Sequence, residues 1–106
     1  MTDAELLVML ENNLELIMDY MDADARATKE AELTQYINSA KKFITTEGIT
    51  LNQEDIGDCM LITMYAGWIY EKRKAVQNGA SAVNVAMPRM LRWNLNNRLF
   101  SEKVKK

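Results

Sequence analysis

Histidine is missing from this chain, and cysteine and proline occur once each. Each scarcity excludes a class of chemistry. Without histidine there is no imidazole base, no histidine zinc ligand and no histidine-dependent nucleophilic triad. A single cysteine, Cys59, rules out an intrachain disulfide. Four glycines and one proline are too few to turn the hairpins of an antiparallel sheet. No apolar run approaches the roughly 18 residues that a membrane span needs. The opening Met1-Thr2-Asp3-Ala4-Glu5 is acidic and lacks the basic flank of a secretory signal, so synthesis in a cytoplasm, with no membrane partner, is expected. There is no P-loop, dinucleotide-binding glycine pattern or Cys/His cluster, so neither a cofactor, a metal nor a catalytic set is expected.

What is present fits one helical domain covering residues 1–106. The chain is long enough for one core, and 48% of its residues are hydrophobic. Its net charge of −2 conceals a polarity: Met1 to Asp58 holds 13 acids against 4 bases, and Cys59 to Lys106 holds 2 acids against 9 bases. Such a division suits copies that meet acidic face to basic face, and equally a fold whose two halves neutralise each other.

The apolar spacing predicts about four helices. Leu6, Leu7, Leu10, Leu14 and Ile17 mark a first helix from Asp3, as N-cap, to Met18. Asp19 to Ala27 reads as a loop in which Tyr20 and Met21 reach the core. Its three aspartates act in capping and solvation, because the glycine and closing glutamate of a calcium loop are lacking. A second helix starts near Thr28, presents Leu33, Tyr36, Ile37, Ala40, Phe43 and Ile44 on one face, and stops at Gly48. A third, the longest, runs from Gln53 to Val76 behind an Asn52 cap. Its apolar middle places Met60 and Met64 in the core beside Trp68. Gln77 to Ala86 is a loop with a short extended piece at Val83 to Val85. Pro88 then opens a last helix reaching Glu102, with Met90, Leu91, Leu95, Leu99 and Phe100 as its apolar stripe.

Little of this suggests chemistry. Glu30 with Glu32, and Glu54 with Asp58, read as solvated faces, and Cys59 as a buried thiol. The features left over are basic. Arg73 and Lys74 end the third helix, and Arg89, Arg92 and Arg98 surround Trp93 in the last. They suit phosphate contacts, a partner's carboxylates or plain surface solubility. Trp93 suits the core or an interface, since Trp and Arg are enriched at binding hot spots.

Two runs carry a resemblance. Met64-Tyr65-Ala66-Gly67-Trp68-Ile69-Tyr70-Glu71-Lys72-Arg73-Lys74 is followed, after a loop, by Met87-Pro88-Arg89-Met90-Leu91-Arg92-Trp93-Asn94-Leu95-Asn96-Asn97-Arg98-Leu99-Phe100. With the helix from Leu33 to Ile44 and the turn Glu47-Gly48-Ile49, this order resembles the head–tail connector (adaptor) proteins of tailed phages and prophages. The likeness covers roughly Ala31 to Glu102, and Leu6 to Ala27 departs from it. It implies an all-α subunit without catalysis that forms a closed ring of about twelve copies. The partners implied are the portal protein above and a stopper or tail-completion protein below. Genomic DNA would pass through the channel without sequence-specific binding. The location implied is the virion's head–tail junction, after synthesis in the bacterial host cytoplasm. Arg73, Lys74, Arg89, Arg92, Trp93 and Arg98 are the candidate interface residues. The alternative is a small helical DNA-binding or regulatory module that uses the basic last helix.

Overall fold

Thr2, not Asp3, opens the first helix. In this computed structural model, which describes residues 1–79, 81 and 85–104, the Glu5 amide donates to Thr2 Oγ1 and the Thr2 amide donates to Glu5 Oε1. This reciprocal capping box satisfies two amides that a helix start leaves orphaned. Helix α1 spans Asp3–Asn13, shorter than the expected run to Met18. Leu16 N–H donates to Glu11 O and Glu15 N–H to Asn12 O, which closes the helix in a Schellman turn. That turn needs a left-handed residue, and Glu15 takes the position at φ 56°. With no glycine there, nothing in the sequence marked the stop. Beyond it the phase shifts: Ile17 and Tyr20 are exposed, and Met18, in a 3-10 turn at Met18–Tyr20, is the residue that anchors the link.

Helix α2 spans Ala23–Thr46 and begins five residues before Thr28. Asp22 caps it, its Oδ1 accepting from Ala25 N–H at 2.8 Å. The alanines at 23, 25 and 27 are strong helix formers on an exposed turn, so no apolar periodicity announced them. At the other end Gly48, at φ 105°, takes the expected left-handed position after the cap. Helix α3 spans Ile56–Gln77, capped by Asp55 rather than Asn52, and at 22 residues it is slightly shorter than α2 at 24. Helix α4 spans Arg89–Val104, with Pro88 O accepting from Arg92 N–H. The extended piece expected at Val83 to Val85 lies mostly outside the described residues.

The four helices form an all-α bundle, with no strand among the described residues. Its envelope is flat, 48 × 33 × 19 Å. Helix α3 is central and packs against each of the other three. Leu6 and Leu10 of α1, Leu33, Ile37, Ala40 and Ile44 of α2, Ile62 and Ala66 of α3, and Leu91 and Leu95 of α4 build one continuous core. Met60 corrects the expectation: its side chain is half exposed, while Cys59 and Leu61 beside it are buried. Trp68 is only partly buried, edge-on to Tyr65 at 5.6 Å between centroids, with Lys72 Nζ above its ring.

Helix α4 is locked down by one ion cluster. Asp58, only 3% exposed, accepts from Arg98 Nε at 2.7 Å and from Arg98 Nη2 at 3.3 Å. The same guanidinium donates to Thr50 O at 2.7 Å and to Glu102 Oε2 at 2.8 Å. Asp58 Oδ2 also accepts from Asn52 N–H. Hydrogen bonding to Asp58 drives the Arg98 pKa further up, so the guanidinium stays charged. Arg98→Ala, which strands a buried carboxylate, should cost about 3–5 kcal/mol in urea unfolding. Replacing both partners, as in Asp58→Leu with Arg98→Met, should recover most of that loss. A single variant within about 0.5 kcal/mol of the parent would remove the lock from the account. Glu15→Gly should raise stability by about 1 kcal/mol, because the left-handed turn then carries no Cβ penalty.

Candidate interaction surface

Helix α4 has two apolar faces. Leu91 and Leu95 point into the bundle at 1% exposure, and Arg98 and Leu99 continue that face. Met90, Trp93, Phe100 and Val104 follow steps of three, seven and four residues on the other side. These four are 61, 62, 69 and 68% exposed, with Asn97 exposed between them. The expected stripe therefore divides: Leu91, Leu95 and Leu99 turn inward, and Met90 and Phe100 turn outward. A single exposed apolar side chain is ordinary, but four aligned on one helix face form a patch of the kind found at interaction sites.

The bases around this face differ in what they touch. Arg92 Nη1 lies 3.3 Å from Glu47 Oε1 at the end of α2, a pair with both side chains substantially exposed and hence worth little. Arg89, one residue before Met90, makes no ion pair with a described residue and lines a shallow hollow of about 350 Å³ with Met90 and Trp93. Lys103 lies near the far end of the same helix.

The six sequence-derived candidates thus separate. Arg89, Arg92 and Trp93 share the outer side of α4. Arg98 is turned inward and serves the Asp58 cluster. Arg73 and Lys74 sit at the C-terminal end of α3, along a cleft of about 230 Å³ shared with Lys29, Glu32, Tyr36 and Tyr70. What the sequence reading missed is Asp58, placed there among solvated acids and here buried. The available signal was phase: Asp58 lies four residues before Ile62, and Arg98 lies three and seven after Leu95 and Leu91, all on inward faces.

A second polar hollow, about 480 Å³, runs between α3 and α4 over Asp58, Met60, Met64, Asn94 and Arg98. Its carboxylate is already satisfied, and its Asn94 amide faces Met64 Sδ at 3.5 Å. Among the described residues no three acidic, cysteine or histidine side chains converge as metal ligands, and no helix is long and apolar enough to cross a membrane. What the outer side of α4 offers is recognition: an apolar strip with a cationic edge.

No family model, curated protein or solved structure matches the chain. Trp93→Ala should leave the urea unfolding free energy within about 0.5 kcal/mol of the parent, because the ring is mostly in water. A loss above about 2 kcal/mol would mean that Trp93 belongs to the core.

Proposed function

We propose that the chain is a structural subunit that assembles into a ring as a phage head–tail connector, joining a portal to a stopper or tail-completion protein and extending the DNA channel. The observation that carries this reading is the outward apolar face of α4, at Met90, Trp93, Phe100 and Val104, which the chain's own core does not cover. It lies within the segment whose order of residues resembles the connector family. The all-α bundle is the architecture that the resemblance implies. The charge division supports side-by-side assembly, since an acidic front half and a basic rear half attract across a boundary between copies.

The same face weighs against duplex DNA as the principal partner of α4. A phosphate-binding helix presents cations to the groove, whereas this one presents four apolar side chains and turns Arg98 inward. Work in this reading is mechanical and geometric: copies hold each other by shape and charge, and the ring holds portal and tail in register.

Negative-stain electron microscopy of the purified chain, alone and with a cognate portal, tests the reading. Rings or a portal-bound collar are expected, and their yield should fall as salt rises from about 0.05 to 0.5 M, where screening shortens to a few ångströms. Trp93→Ala should abolish them while the subunit stays folded. A chain that remains monomeric with and without a portal, yet binds duplex DNA, would overturn the proposal.

A further inference from the structure

The neighbour that covers α4 has a recognisable docking place on this same chain. On the outside of α1, Ala4 and Val8 stand exposed in line with Asn12, and with Met1, Met9 and Glu5 they bound a shallow, mainly apolar hollow of about 520 Å³. Helix α1 contains three acids, Asp3, Glu5 and Glu11, and no base. Glu5 lines the hollow and Glu11 lies one turn beyond Val8. The outer side of α4 offers the complement: an apolar strip with Arg89 and Arg92 along one edge.

We propose, building on the connector reading, that the outer face of α4 in one copy docks onto the outer face of α1 in the next, Trp93 and Phe100 meeting Ala4 and Val8 while Arg89 and Arg92 meet Glu5 and Glu11. Charge selects this pairing over the two symmetric ones. Two α4 faces brought together would oppose arginine to arginine, and two α1 faces would oppose glutamate to glutamate. The two faces lie on different helices, each packed on α3 through different residues: Leu10 of α1 beside Gly67, and Asn94 and Arg98 of α4 beside Met64 and Asp58. A copy that has used one face still has the other free. Addition therefore continues head to tail until the rotation closes a ring.

Glu11, one turn beyond Val8, is the acid that such a cation would stabilise. Burial, and after it the charge of Glu30, holds its carboxyl above the usual glutamate range, and Arg26 only partly offsets them. A folded value above the unfolded one means that ionised Glu11 weakens the isolated subunit at neutral pH, and that this penalty disappears as pH falls through the folded value. A neighbour's guanidinium would relieve it. Glu11→Gln should therefore keep or raise the melting temperature of the subunit while weakening its self-association. A purely structural glutamate would lower the melting temperature instead.

Cysteine placement reads the contact directly. Asn12→Cys and Asn97→Cys put thiols within the two faces without removing any apolar anchor, and Cys59 is buried away from both. Under mild oxidation of the concentrated protein, a mixture of the two variants should give a cross-linked dimer. Each variant alone should give none, and the double variant should give a ladder of multimers. Arg89→Glu and Glu11→Lys should each weaken association by about tenfold or more, and the two combined should restore it. Cross-linking of either variant with itself would overturn the proposal in favour of a symmetric dimer. Rings in the microscope with no mixed cross-link would overturn this pairing and leave the connector reading standing. A chain that shows no association up to millimolar concentration overturns the pairing as well, and a collar on a portal then decides the connector reading separately.

Discussion

The Arg98–Asp58 cluster is the constraint on which the outer surface depends. Helix α4 enters the bundle through only two fully buried side chains, Leu91 and Leu95, each worth about 1.5–3 kcal/mol. Apolar contact of that kind is not directional, and a helix with two apolar faces can present either one to a core. The guanidinium removes that freedom. It binds the α2–α3 connection at Thr50, the start of α3 at Asp58 and its own helix at Glu102. The contacts to Thr50 and Asp58 fix the rotation of α4, the Glu102 pair within the helix steadies the guanidinium, and that rotation leaves Met90, Trp93 and Phe100 in water.

The front of the chain follows a different logic. Helix α1 is short, acidic and joined to the rest by Lys41 and Gln53, whose side chains both reach Asp3 Oδ1, at 2.8 and 3.1 Å. The Lys41 hydrogen bond, then that of Gln53, holds the Asp3 carboxyl below its ordinary range. These contacts bind α1 through its inner side and its first turn. Ala4 and Val8 remain outside, beside a helix with no base. The polarity counted along the sequence thus survives on the surface, because among the described residues the ion pairs that join the halves, Arg98 with Asp58 and Arg92 with Glu47, involve neither α1 nor Arg89.

Much of the fold was legible in the sequence. The four-helix plan, the inward face of α2 at Leu33, Tyr36, Ile37, Ala40 and Ile44, the glycine stop at Gly48 and the buried thiol of Cys59 all followed from spacing and punctuation, whereas Phe43, expected on that same face, is half exposed and stacks on Tyr65 at its edge. The misreadings have physical causes. Glu15 closes α1 in a conformation that normally announces itself with glycine. The first turn of α2 is exposed alanine and so carries no apolar phase. Met60 was assigned to the core, and Met90 and Phe100 to one stripe with Leu91, Leu95 and Leu99, since apolarity alone does not say which of two helix faces is buried. The inward turn of Arg98 was hidden for the opposite reason: it is the charged residue on an inward face, and its partner Asp58 lies 40 positions earlier.

The central claim is that Trp93 lies in water in the single subunit and is covered in the assembly. Its emission, recorded in a Trp68→Phe chain so that it is the only indole, tests this on dilution from assembled protein to free subunit. The account predicts blue-shifted, collisionally protected emission in the assembled protein and red-shifted, quencher-accessible emission in the dilute one, with the midpoint moving to higher concentration as salt rises. Emission and quenching that stay the same while the oligomer demonstrably dissociates would contradict it.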